Sequence, residues 1–327
     1  MTFFLDPGDL PGITAFLNAQ GWLDPNESIQ NAERAGEGNM NCTLRVRTLS
    51  RSFILKQARP WVEKYPQIPA PANRAIFEAR FYEHIGKRRE VAAHMPALLG
   101  FDSDARLLML EDLGPTEDVD LNESVIGELT QFLIALHTGF RGRELADVFS
   151  NAELRALNHE HVFVFPLRLG NGLDLDSITP GLAALAQKLQ RDSGYRSEVT
   201  GLGELYLDAR GPCLLHGDYF PGSWLNARDL VWVIDPEFCF FGPPEWDAGV
   251  MLGHLHLAGC APNLIASISR LYAAAAPLDR RLTLRFAGVE IMRRLIGVAQ
   301  LPLAIGLKEK ARLLDLSRKL VLTEGGS

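Results

Sequence analysis

The chain has 327 residues, enough to bury a sizeable core as one large domain or two modest ones. With 47% hydrophobic and 22% charged residues and a mean hydropathy of zero, its composition excludes disordered and collagen-like chains. A formal net charge of −7 argues against a nucleic-acid partner and against broad adhesion to anionic membranes.

In chain order, Met1-Thr2-Phe3-Phe4-Leu5-Asp6 has no basic region and meets an acid and Pro7 at once, unlike a signal peptide. The first hundred or so residues read as mostly strands with one helix. Cys42 to Leu49 and Phe53 to Gln57 are β-prone segments around a Ser50-Arg51 turn, as in a hairpin. A Pro-punctuated loop follows, and then Phe77, Phe81 and Ile85 recur at intervals of four, the apolar stripe of a helix. Leu98 to Phe101 and Leu107 to Leu110 flank Asp102-Ser103-Asp104 as a second hairpin.

After Gly114-Pro115 the pattern turns helical, with Leu129, Phe132, Leu133 and Leu136 on one face and further runs at 181–190, 246–259, 264–275, 280–300 and 307–321. A short β interlude, Cys213-Leu214-Leu215 and Leu230 to Ile234, interrupts them. A small β-rich lobe, residues 1–113, followed by a larger helical one, residues 114–327, is therefore expected. Ala248 to Ser269 lacks any Lys, Arg, Asp or Glu and is long enough to span a bilayer. His254, His256, Pro262 and Asn263 interrupt it, so a buried helix stopped near Pro262 is expected instead. Asp279 to Lys319 holds ten Lys/Arg against four Asp/Glu, which is +6 there and −13 elsewhere; such a run is ordinarily a solvated basic face. Four scattered cysteines without a CxxC pair fit reduced thiols in a cytoplasmic protein better than disulfides or a zinc site.

The chemistry concentrates in Leu214-Leu215-His216-Gly217-Asp218-Tyr219-Phe220-Pro221-Gly222-Ser223 and in Val233-Ile234-Asp235-Pro236-Glu237. Two acids follow short apolar strands, seventeen residues apart. Phosphoryl transfer needs one acid to orient and deprotonate the attacking hydroxyl, and other carboxylates to hold Mg²⁺ against the phosphates. Asp218 suits the first role and Asp235 the second. Glu237, two residues on, would share a face with Asp235 in an extended chain and could share the metal.

Together, the HGD, P-G-S and IDPEF segments resemble the aminoglycoside phosphotransferase and choline kinase superfamily. Within it, Ser223 in place of a metal-binding Asn, Asp235-Pro236-Glu237-Phe238, Gly242-Pro243 and Asp247 are most similar to the 5-methylthioribose kinases. The resemblance implies an α+β, protein-kinase-like two-lobe fold, with ATP and Mg²⁺ as cofactors and a small-molecule substrate. Gly36-Glu37-Gly38-Asn39-Met40-Asn41 is similar to the family's phosphate loop, in which glycines admit backbone N–H groups close to phosphate. Lys56 would then pair with the phosphates, anchored by Glu78. Backbone groups at Glu111 and Leu113, in the interlobe hinge, would meet adenine. Arg293-Arg294 resembles twin arginines at the acceptor, although a bare Arg pair on a helix is more often solvated. Ser223 and Glu237 would assist Asp235 at the metal. Asn151 to Pro166 also follows the family, with no chemical role of its own.

The chain is shorter than these relatives, chiefly between Asp247 and the twin arginines and at the C-terminus, where the superfamily caps its acceptor pocket. An aminoglycoside or another alcohol as acceptor therefore stays open, as does a nucleotide-binding pseudokinase. A polycationic acceptor would want a carboxylate-lined pocket, which the basic 279–319 stretch disfavours. His216, His137, His254 and His256 are expected to be structural. Oligomeric state is open, a homodimer being compatible with the sequence.

Overall fold

Cys42, Leu44 and Val46 alternate with Thr43, Arg45 and Arg47 along one strand, the first set buried and the second facing outward, as a half-covered sheet requires. A computed structural model describes residues 3–36, 38, 40–208 and 211–322. The chain divides into two compact units, one running to Asp118 and taking in Leu225–Cys239, the other built from Val119–Trp224 and the chain from Phe240 onward.

In the first unit, β1 (Ile29–Arg34), β2 (Cys42–Thr48) and β3 (Ser52–Gln57) precede a small hairpin of β4 (Trp61–Val62) and β5 (Tyr65–Pro69), and β6 (Leu98–Asp102) and β7 (Leu107–Glu111) follow. The five-stranded sheet has the order β1-β2-β3-β7-β6, every neighbouring pair antiparallel. Three helices accompany it: α1 (Leu10–Ala19), α2 (Arg74–Ile85) and α3 (Arg89–Ala92). Only α2 is expected from sequence. The start of α1, Leu10-Pro11-Gly12, carries the residues of a turn. Proline is tolerated in a first helical turn, however, and the Asp9 carboxylate caps it by accepting from the Gly12 N–H. Ile13 and Leu17 of α1 then join Leu44, Val46, Phe53 and Leu55 in one core cluster. Trp224–Ala227 and Leu230–Val233 pair through Arg228 and Asp229, both left-handed (φ 52° and 59°), the backbone of a tight hairpin turn.

The second unit is mainly helical. Its helices are α4 (Glu123–Gly139), α5 (Arg143–Ala146), α6 (Ala152–His159), α7 (Leu175–Ile178), α8 (Leu182–Arg191), α9 (Ser193–Leu207), α10 (Glu245–Leu257), α11 (Pro262–Ala275), α12 (Arg280–Ile296) and α13 (Leu307–Leu322). Cys213–Leu215 and Phe240–Gly242 form a two-stranded antiparallel pair beneath the His216 loop. The buried helix expected to stop near Pro262 ends a few residues earlier, and Pro262 itself opens the next one, close to the separate runs expected at 246–259 and 264–275. The run from Ala248 is two helices: α10 ends at Leu257, Gly259 takes a left-handed φ of 72°, and Pro262 opens α11. No helix among the described residues is long and apolar enough to cross a membrane.

Two glycines set how closely α10 meets α12. A Cβ on Gly249 would lie 2.6 Å from the Phe286 Cβ, and one on Gly253 would lie 2.9 Å from the Glu290 Cβ. The helices therefore approach backbone to backbone, with Trp246, Val250, Phe286 and Val289 in the cluster around the contact.

Candidate active site

Lys56 stands on β3, cross-strand from Thr43 and Leu108, and is 3% exposed. Its ammonium lies 2.8 Å from Glu78 Oε1 on α2 and 2.8 Å from Asp235 Oδ1. Burial opposes the lysine charge, but the fields of Asp235, Glu78 and Glu237 outweigh it and hold the pKa well above the ordinary lysine value. Glu78, the partner expected from sequence, is therefore on the lysine, and Asp235, expected at the metal, is on it as well.

Asp235 follows the Leu230–Val233 strand in a left-handed conformation (φ 62°), and Pro236–Phe238 then forms a 3-10 turn. A non-glycine residue there carries a strain of about 1–2 kcal/mol, seen in proteins mostly where surrounding contacts fix it. The turn corrects the extended-chain placement of Asp235 and Glu237 on one face. The Asp235 side chain keeps 43% of its surface open, whereas Glu237 is buried. Glu237 Oε1 accepts from Asn41 Nδ2 at 3.0 Å, and its Oε2 lies 3.0 Å from Arg74 Nε. Its carboxylate is thus engaged in supporting the loop before β2, while that of Asp235 stays half open.

Arg74 escaped the sequence reading. It is 1% exposed and donates to Asn41 Oδ1 and to the carbonyls of Met40, Arg59 and Pro71, tying the glycine loop to the start of α2. A signal existed: Arg74 and Glu78 are four apart, hence on one helical stripe, and only buried, partnered charges sit on such an inward face. In the glycine loop, Gly36 adopts φ 73° and neither Gly36 nor Gly38 has an atom within 4 Å of where a Cβ would be. Asn39 lies outside the described residues. Glu111 closes β7, its carboxylate paired with Arg228, and Leu113 is buried against Ala227 and Trp232.

In the second unit, Leu214 and Leu215 lead into the His216-Gly217-Asp218 loop. Asp247, fully buried near the start of α10, accepts the N–H of His216 at 2.7 Å and of Gly217 at 2.9 Å. It also lies 3.1 Å from His137 Nε2, whose other ring nitrogen pairs with the Tyr272 hydroxyl. Trp246 Nε1 donates to the Gly217 carbonyl and Ser223 Oγ to the Asp218 carbonyl. Ser223 thereby fixes the turn after Asp218. His137 is partnered, as expected of a structural histidine.

The Asp218 side chain is 20% exposed and meets both arginines of α12 through one oxygen: Oδ1 lies 2.9 Å from Arg293 Nη2 and 3.5 Å from Arg294 Nη2. The arginines are 6% exposed, so the solvated alternative for this pair does not hold. Behind them Glu290, completely buried, accepts from Arg293 Nε and, at 2.7 Å, from Arg294 Nε, while His254 Nε2 lies 2.9 Å away. Burial would raise the Glu290 pKa, but the two guanidiniums hold it well below the usual carboxylate range. Burial drives His254 down to about 4, leaving it neutral at physiological pH. The Arg294 guanidinium also lies over the Phe220 ring, 4.4 Å from its centroid. Glu290 went unassigned from sequence, although its spacing of three and four to the arginines is that of intrahelical ion pairs.

Residues 31–282 match the model of the phosphotransferase enzyme family, about three-quarters of the chain, and the chain belongs to that family. Among curated relatives, a methylthioribose kinase of Erwinia tasmaniensis is 27% identical over 92% of this chain and 88% of its own length. Methylthioribose kinase 1 of Oryza sativa subsp. japonica is 28% identical over 69% of this chain, which spans only 56% of the rice protein. Among solved structures, choline kinase LicA from Streptococcus pneumoniae superposes with a TM-score of 0.55 at 13% identity, covering 94% of this chain and 97% of that one. A spectinomycin phosphotransferase, solved with ADP and spectinomycin, gives 0.51 at 12% identity, covering 95% and 97%. At such identities these structures speak for the shared α+β kinase-like fold.

Proposed function

We propose that the chain is a Mg·ATP-dependent small-molecule kinase that phosphorylates a hydroxyl of an uncharged, sugar-like acceptor, with 5-methylthioribose the leading candidate. The observation that carries this reading is Asp218 held on a clamped loop with both arginines on a single oxygen. Because Oδ1 is occupied, Oδ2 is the atom assigned to accept the acceptor's hydroxyl proton as that oxygen attacks phosphorus. Arg293 and Arg294 keep the carboxylate in place and offset charge that develops on the transferring group. Lys56, fixed by Glu78, grips the nucleotide phosphates, and Glu237 with Arg74 and Asn41 shapes the glycine loop beside them. Glu111 and Leu113 supply the backbone edge for adenine.

The donor chemistry fits magnesium. Among the described residues no cluster of three or more His, Cys, Asp or Glu side chains could encage a metal. Mg²⁺ asks for less: one or two carboxylates, with waters and substrate phosphates completing its shell. The half-open Asp235 carboxylate matches that demand. When bound, the metal would neutralise phosphate charge. Positioning and electrostatics dominate this reaction class, so the chain needs no covalent intermediate. The substrate assignment rests on the methylthioribose kinase relatives and on the guanidinium pair, which disfavours a polycationic aminoglycoside. Lys56, Glu78, Asp218 and Asp235 are all present, which disfavours a pseudokinase.

The test is Mg-dependent ADP release with ATP and a panel of methylthioribose, ribose, choline, homoserine and kanamycin. Turnover of methylthioribose is expected. Preference for another member would keep the reaction class and discard the substrate, and inertness toward all five with intact ATP binding would count against catalysis altogether.

A further inference from the structure

Glu290 lies in the interior of α12, and it does more there than fill space. Each guanidinium beside it is held at both ends, Nε on Glu290 and Nη2 on Asp218. An arginine side chain free at its head has several rotatable bonds to settle; one pinned through both Nε and Nη2 has its plane fixed. The charges also close. Two guanidiniums face two carboxylates, and His254, the remaining titratable group on Glu290, is neutral.

We infer that Glu290 is a positioning residue that aims Arg293 and Arg294 at Asp218 Oδ1 and cancels one of their charges, so that the site accepts an uncharged polyol and releases its phosphate ester. The inference rests on Asp218 being the acceptor-orienting acid proposed above. An ammonium-bearing acceptor would have to approach two guanidiniums. A phosphate monoester carries close to two negative charges at neutral pH, and the planar fork of arginine matches phosphate oxygens. Without Glu290 the pair would have a net surplus of positive charge and would retain the product. With it, the attraction strengthens only while charge is developing on the transferring group.

The deciding measurement is a binding titration. Inorganic phosphate is titrated into the full chain and into Glu290→Gln by calorimetry at fixed ionic strength, with ADP saturating so that the nucleotide's phosphate contacts are filled. Phosphate is expected to bind Glu290→Gln at least tenfold more tightly, with ADP affinity changed less than twofold. Equal phosphate affinity in a folded Glu290→Gln protein would overturn the inference. Glu290→Asp, which keeps the charge but falls one methylene short, should hold phosphate as the wild type does while losing kcat through misaimed arginines. Tight phosphate binding there would remove charge as the cause. If Glu290→Gln does not fold, the Glu290→Gln/Arg294→Gln double variant restores neutrality and should again match the wild type, and tenfold tighter binding by it would sink the idea. A wild-type chain inert toward every acceptor would defeat the kinase reading, and the phosphate titration would still decide the role of Glu290.

Discussion

Asp218 has two arginines on one oxygen and its carbonyl on Ser223, so little of it is free to move except the Oδ2 side, which is proposed to meet the acceptor. Asp218→Ala should therefore lower kcat by about 10²–10⁴, the usual worth of a positioned general base, while leaving ATP affinity unchanged. Stopped-time ADP assays alongside nucleotide titration would check this, and survival of activity within tenfold would reject the base assignment. If Arg294 serves the acceptor as proposed, Arg294→Ala should raise the KM for the acceptor far more than that for ATP. Equal losses for both substrates would mark it as structural. Asp218 could be singled out in the sequence because it follows a short strand, whereas Arg293 and Arg294 stood out only through the family resemblance, a bare Arg pair being more often solvated. Glu290, Arg74 and Asn41 were harder to read. Their partners are remote in the chain or on buried helix faces, and burial of a charge becomes visible only when the fold supplies the opposite charge.

At the level of elements, the contact between α10 and α12 joins the groups that hold the His216 loop to those that hold the arginine pair. Asp247 on α10 holds the His216 loop, and Glu290 on α12 holds the arginines that reach the same loop. Gly253 lies against Glu290, so Gly253→Ala should push the carboxylate away and weaken acceptor use before it weakens ATP binding. Gly249→Ala instead meets Phe286 and backbone, and should cost about 1–3 kcal/mol by overpacking, read as a lowered urea midpoint. Most helices and both hairpins of the first sheet could be read from apolar periodicity. Others were not: α1 opens with turn-like residues under an Asp9 cap, α6 and α9 were not read as helices, and Asp235 is left-handed although the proline after it would favour continued extension, with its carboxylate held by Lys56.

Across the whole molecule, charge is deployed more locally than its sum suggests. The 279–319 stretch, expected as a solvated basic face, commits Arg293 and Arg294 to Asp218 and Glu290, Arg285 to Glu198 and Arg318 to Asp192. Its surplus is partly balanced across the fold of the second unit. Buried histidine shapes the pH response. Burial lowers the pKa of His254 from 6.5 to about 4, so the unfolded chain binds more protons than the folded one between those values. Stability should accordingly fall as pH drops from about 6.5 to 4, by on the order of 3 kcal/mol from this residue. His159, His161 and His256, also lowered by burial, add to the same slope. Urea midpoints across that range should decline for the wild type and decline less steeply for His254→Gln. An unchanged slope would mean that His254 is already charged in the folded protein.

The bonds from Asp247 to the His216 and Gly217 amides have a consequence for the timescale of motion in the catalytic loop. Loop amides ordinarily exchange their hydrogens with solvent quickly, because nothing buried holds them. Here two consecutive N–H groups point into a carboxylate with no exposed surface, at the foot of a helix packed backbone to backbone on its neighbour. Deuterium should enter these two positions about as slowly as it enters the middle of α10 or α12, and Asp247→Asn should release them while the surrounding helices stay protected. A loop that exchanges like a helix interior can present Asp218 to successive acceptors without being reassembled between turnovers.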